Sequence, residues 1–141
     1  IHSEVGVIPM TNYPFSKGDR RIVNIGTAGG QTKGSSGYTF QFIQKQSDKI
    51  INALMNGEDP LLPKPFFEKR FNLYDRIFLD VLYHKKMKGD KLFAVLFKKN
   101  TPQQVLKFLD NETSLFEEVK IMNSVPLGKF LPASLKAIFT K

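Results

Sequence analysis

The chain has 141 residues, 41 % of them apolar and 24 % charged, which supports one domain with a real core and leaves too little for two. No apolar run approaches the length of a bilayer-spanning helix, and the absence of cysteine excludes disulfides and thiolate metal sites while leaning only weakly toward a reducing compartment. The formal net charge of +8 admits nucleic acid, an anionic membrane surface or an acidic protein as partner, against the plainer reading of lysines solvating helix ends.

The opening IHSEVGVIPM carries neither an initiator Met nor a basic signal start, so it reads as part of something longer. Its run Val5-Gly6-Val7-Ile8-Pro9-Met10 reads as a strand at a sheet edge, because Pro9 cannot donate to a ladder. Ser16-Lys17-Gly18-Asp19 is a turn signal, and Arg21-Ile22-Val23-Asn24-Ile25-Gly26 a second, more buried strand. Two strands alone are marginal, and the pair would sit better in a larger sheet.

Residues 26–38, GTAGGQTKGSSGY, then concentrate small residues between that strand and a helix. Glycine lets a backbone approach a ligand closely, and a helix N-terminus favours negative charge, so the stretch is a candidate phosphate turn. It is neither a Walker motif nor a GxGxxG turn. By spacing alone a flexible loop fits as well.

From Tyr38 the period becomes helical through Phe42, Ile43, Ser47, Ile50, Ile51 and Leu54, with Asn56-Gly57 as the stop. After the proline-rich connector 59–65, a second helix is marked by Phe67, Phe71, Tyr74, Phe78 and Val81. A third runs over Asp90–Lys99 with Asp90 as N-cap. Thr101-Pro102-Gln103-Gln104 and Ser114-Leu115-Phe116-Glu117 are capping boxes that open the fourth and fifth. A last helix is expected over Pro132–Phe139. The predicted class is therefore α+β and mostly helical: two short strands, a glycine-rich turn and five or six helices.

The aromatic stripe of the second helix, with Phe93, Phe97 and Phe108, has the spacing of a core and could also line a tunnel for a greasy ligand. His2 and His84 lack companions at ligand spacing, so no metal site is expected. Glu117-Glu118 reads as helix surface.

Three segments taken together, VGVIPMT, IVNIGTAGG and SSGYTFQFIQKQSDKIINAL, resemble the carboxy-terminal half of FAD-dependent lycopene cyclases. The likeness continues through RFNLYDRIFLDVL and LFAVLFKKNTPQQVLKFLDNETSLFEEVKIMNSVP to PLGKFLPASLKA. It implies a flavoprotein with a Rossmann-like FAD domain, of which 1–57 would be the closing strand–turn–helix and 58–141 a helical C-terminal region. FAD would be held by Gly26, Thr27, Ala28, Gly29, Ser36, Gly37 and Tyr38, with the ADP-gripping GxGxxG turn in a missing N-terminal half. Related aromatic hydroxylases carry Asp where Thr27 stands. The turn departs from the plant enzymes by one extra residue and by Gly34 in place of proline, which loosens the geometry of Gln31–Ser35.

The resemblance also implies a reaction. An acid protonates the terminal double bond of a linear carotenoid, the cation closes a ring, and a proton leaves, with reduced FAD acting without redox turnover. Glu4 matches a family glutamate near the active site and is the candidate catalytic carboxylate. The expected setting is cytoplasmic with peripheral membrane contact and no nucleic acid partner. The competing readings are a geranylgeranyl reductase-type or hydroxylase-type FAD oxidoreductase, and a basic helical binding module that would leave the glycine-rich turn unexplained.

Overall fold

The computed structural model describes residues 2–3, 5–19, 21–61 and 68–139, with the side chain of Glu68 excepted. Two compact units divide the chain, Ile1–Pro63 and Lys64–Lys141.

In the first unit, β1 (Gly18–Asp19) and β2 (Ile22–Val23) pair antiparallel, Gly18 opposite Val23 and Asp19 opposite Ile22. The Asn24 N–H extends the pairing by donating to the Lys17 carbonyl at 2.9 Å. Gly18 has φ +133°, and a Cβ there would strike the Ile22 carbonyl, so this close approach requires glycine. The strand count matches expectation but the positions do not. Residues 5–10 form no strand, because no neighbouring strand takes up their backbone groups among the described residues, and Val5 and Val7 stand 96 % and 94 % exposed. Gly18–Asp19, read from sequence as a turn, supplies the partner instead. The expected strand 21–26 shrinks to two residues, and Ile22 is exposed rather than buried.

Helix α1 (Phe40–Met55) ends as its sequence dictates. Gly57 takes φ +70°, its N–H donates to Leu54 O, and the Glu58 N–H donates to Ala53 O, the paired bonds of a Schellman cap. Among the described residues of this unit Ala53 is the one buried apolar side chain, whereas Gln31, Lys33 and Ser35 are buried polar ones.

Among its described residues the second unit packs five helices: α2 (Glu68–Tyr83), α3 (Gly89–Lys99), α4 (Pro102–Leu109), α5 (Leu115–Ser124) and α6 (Leu127–Phe139). The aromatic stripe of α2 faces the core, with Phe71 and Val81 fully enclosed and Phe78 meeting Phe108 and Phe130 at ring distances of 6.5 and 5.6 Å. Phe67 lies outside the described residues. Both capping boxes form as read, Thr101 with Gln104 and Ser114 with Glu117. Two helix boundaries differ from expectation. Lys88 rather than Asp90 holds the N-cap position of α3, and Asp90 sits in the first turn, where its charge still complements the dipole. Helix α6 starts five residues before Pro132 and carries that proline inside, where its missing N–H removes one bond to the preceding turn.

The main correction concerns Glu118, which is 1 % exposed rather than on the surface. Its carboxylate accepts from Arg70 Nε at 3.0 Å, Tyr74 OH at 2.8 Å and Thr113 Oγ1 at 3.3 Å, while Arg70 Nη2 also donates to the Thr113 carbonyl at 2.9 Å. Burial, reinforced by the adjacent Glu118, pushes the Tyr74 phenol up to about 12. Outside the core, Asp80 on α2 accepts from Lys86 at 2.6 Å and from Lys136 on α6 at 2.9 Å, and His84 Nε2 lies 3.3 Å away. The Lys86 bond, then the Lys136 bond, lowers the Asp80 carboxyl from 3.8 to about 2.

Glu118→Ala should cost about 3 kcal/mol in urea unfolding, because Arg70 and Tyr74 lose the carboxylate they surround; a change below about 0.5 kcal/mol, the usual size of a surface substitution, would show that the network carries no stability. Asp80 titrates lower folded than unfolded, so its contribution is complete above its ordinary pKa and fades as pH falls through about 2. Asp80→Asn should therefore be less stable than the parent chain near neutrality and converge with it near pH 2, read from urea midpoints across that range.

Candidate functional site

The turn of residues 26–38 is built almost wholly from backbone hydrogen bonds. Gly26, Gly30 and Gly37 take φ of +63°, +69° and +73°, the left-handed conformation that side chains resist. The Gly29 N–H donates to Gly26 O at 3.1 Å, Gly30 to Thr27 O at 3.0 Å and Gln31 to Gly26 O at 2.9 Å. A second loop closes through Lys33 N–H to Tyr38 O at 2.7 Å and Gly37 N–H to Lys33 O at 2.8 Å. Gly29 allows no side chain, since a Cβ would meet the Asn24 carbonyl and Gln31 Oε1.

This pattern sorts the expected cofactor residues. Gly29, Ser36 and Gly37 spend their N–H groups on backbone carbonyls and Tyr38 on Ser36 Oγ, whereas Gly26, Thr27 and Ala28 donate no backbone hydrogen bond among the described residues. Further open donors lie at the start of α1. The first N–H groups of any helix lack intrahelical acceptors, and here the Thr39 side chain does not cap them, because its hydroxyl donates to Gly37 O at 3.0 Å. No acidic residue stands in the first turn of α1.

A ladder of hydroxyls joins the two sets of donors. Thr32 Oγ1 lies 3.3 Å from Thr27 Oγ1 and 3.3 Å from Thr39 Oγ1, which places Thr27 close to the helix start. Lys17 adds positive charge on the same turn by donating from Nζ to the Gly29 carbonyl. Lys17, Thr32 and Thr39 were not singled out from sequence as site residues. Their signal lies in tertiary proximity, apart from Thr39 just ahead of a helix. Glu4 lies outside the described residues.

The turn fits an anionic, hydroxyl-bearing group. Uncommitted N–H donors and a helix N-terminus offer positive potential, and Gln31 Oε1 is buried without a hydrogen-bond partner, an acceptor that a ligand hydroxyl would satisfy. Among the described residues no group of three His, Cys, Asp or Glu is placed to hold a metal ion.

The helical unit has a cavity of about 150 Å3, lined by Tyr74, Phe78, Phe108, Ile121, Phe130 and Leu131 among others. Of the aromatic residues considered for a tunnel, Tyr74, Phe78 and Phe108 line it; Phe71 is closed within the core, and Phe93 and Phe97 take no part in the lining.

A family model described as lycopene cyclase protein matches residues 1–135. No match was found among curated proteins or among solved structures.

Gly29→Ala should disrupt the turn at a cost of about 1–3 kcal/mol, since backbone must move to admit the methyl group. Amide chemical shifts of residues 24–31 should change broadly, while Gly6→Ala, where nothing lies within 4 Å, should leave them as they were.

Proposed function

We infer the function from one premise: the chain belongs to the lycopene cyclase family, whose model matches it from residue 1 to residue 135. We propose that it is part of an enzyme of carotenoid biosynthesis that cyclises the ends of a linear carotenoid by acid-catalysed isomerisation, with FAD as cofactor. The observation that carries the cofactor assignment is the pairing of open donors at Gly26–Ala28 with the uncapped start of α1, bridged by the Thr27, Thr32 and Thr39 hydroxyls.

In this reading the Thr27 and Ala28 amides and the α1 N-terminus bind a phosphate of the cofactor, and the dipole of the sixteen-residue helix favours its charge. Gly26, Gly30 and Gly37 supply the left-handed turns, and Gly29 the close approach to Asn24, that shape the loop around the cofactor, while Ser36 and Tyr38 hold the second loop against it. When bound, reduced FAD would supply negative charge to stabilise a carbocation, with no net electron transfer. Glu4 is the proposed proton source. A carboxyl group keeps its proton near neutrality when burial disfavours its charged form, which is the property this reaction requires. The sequence contains no GxGxxG, so the grip on the ADP moiety falls to a preceding part of the same polypeptide. We propose that it works in the cytoplasm with peripheral contact to the membrane in which a hydrocarbon substrate would be dissolved.

Titrating the isotopically labelled chain with FAD should shift the amides of Thr27, Ala28 and Phe40–Phe42 with millimolar affinity. Shifts confined to other residues, or stoichiometric flavin in the purified chain, would overturn the division of the site. With the complete enzyme, cyclised product should form without consuming reducing equivalents or oxygen; a reduced or hydroxylated product would favour the oxidoreductase reading.

A further inference from the structure

Among the described residues, Lys136 is the one side chain of α6 with a polar contact outside its own helix. Its Nζ donates to Asp80 Oδ1 on α2 at 2.9 Å and lies 3.3 Å from His84 Nε2. Apolar burial holds the first half of α6 better than the second. Phe130 is buried ahead of Pro132, whereas beyond it the buried side chains are Ala133 and Ala137, which have little area to remove from water. The stripe of Leu127, Leu131, Leu135 and Ile138 is exposed and adds nothing to that hold. The last turn therefore relies on the Lys136 bond more than the first turn does.

Three basic groups share Asp80. Lys86, just after α2, holds Oδ2 at 2.6 Å, while Lys136 and His84 both face Oδ1, at 2.9 and 3.3 Å. The remaining neighbour of His84 is the Tyr83 ring, edge-on at 5.2 Å. A neutral imidazole with its hydrogen on Nδ1 presents a lone pair at Nε2, which accepts from the Lys136 ammonium. One ammonium then donates to a carboxylate oxygen and to an imidazole nitrogen, and the triangle is satisfied. A protonated imidazole has no lone pair, so two cations stand 3.3 Å apart in front of one oxygen. Lys136 is the one to leave. Its side chain is 56 % exposed, against 45 % for His84 and 30 % for Lys86, and it reaches Asp80 from another helix. His84 lies four residues from Asp80, a spacing at which side chains of one helix turn meet. Asp80 stays charged through mildly acid pH, because the two lysine bonds hold its carboxyl down at about 2.

We propose that His84 is a proton-operated release for the last turn of α6: on taking up a proton it replaces Lys136 at Asp80 Oδ1 and severs the polar tie between α6 and α2. A bond across two helices becomes one within the end of α2, and Lys136–Phe139 is left with Ala137 as its buried side chain. The release belongs to the helical unit and uses neither the glycine-rich turn nor Glu4.

NMR of the full chain between about pH 8 and pH 5, the range in which histidines change charge, tests this through the His84 ring and the 13Cα shifts of Ala137 and Ile138. Both should move in one transition with a shared midpoint, the 13Cα shifts toward random-coil values. Amide protection of Ala137 and Ile138 should fall about two- to fivefold across it, the worth of an exposed ion pair. The amides of Leu92 and Leu96, enclosed on α3, should keep their protection. His84→Gln should abolish the transition at Ala137 and Ile138, and Lys136→Met should show the released shifts at every pH; both positions are exposed, so the fold persists. A transition at Ala137 that survives in His84→Gln, 13Cα shifts that stay constant while the His84 ring titrates, or a ring that keeps one charge state throughout would each overturn the proposal.

Discussion

The helical unit depends on one buried carboxylate. Glu118 is enclosed on α5 and bonded by a guanidinium and a phenol from α2 and a hydroxyl from the loop ahead of α5, with the same guanidinium also gripping the backbone carbonyl of Thr113. Removing such a charge from water is costly, and only a full set of donors compensates. Two of the donors arrive from positions 44 and 48 residues away, so the network can be complete only when α2 and α5 are in register. Tyr74, whose hydroxyl completes the set, also stacks on Phe108 at 6.1 Å. The polar network and the aromatic core are thus fixed by the same side chain. A slip of α2 by one residue would break both.

The first unit is held differently. With little apolar side chain buried, its order comes from backbone groups satisfying one another around three left-handed glycines. That solution uses up most of the turn's N–H donors and leaves a few of them open, at Gly26–Ala28 and at the start of α1. The same tight packing fixes Gly29, where even a methyl group is excluded by the Asn24 carbonyl.

Local signals were the ones legible in the sequence. Thr101 with Gln104 and Ser114 with Glu117 are bonds between residues three apart, and Asn56-Gly57 closes a helix through carbonyls of its own last turn, so spacing alone fixes them. The helix count, the α+β class and the family likeness followed from the same kind of pattern. Glu118 was misread as surface because its neighbour Glu117 is in fact a capping residue, held by Lys107 and Ser114. Two adjacent glutamates on a helix point different ways, and only the distant Arg70 shows which is enclosed. The strand expected at 5–10 failed for the converse reason, since alternation specifies a face and cannot supply a partner strand. In the candidate site the glycines were visible as composition, whereas the contact of Thr27 with Thr39 through Thr32 arises from the fold of the turn.

Size then separates the roles of the cavity and the helix beside it. Pockets that enclose a small organic ligand run to about 300–1,000 Å3, and the cavity of about 150 Å3 in the helical unit falls well short of that. It cannot enclose a long polyene, so its apolar lining is a gap in the helical core and not a substrate tunnel. Leu127 and Leu131 belong both to that lining and to the exposed stripe, which means that α6 leaves side chains of the core accessible along its outer edge.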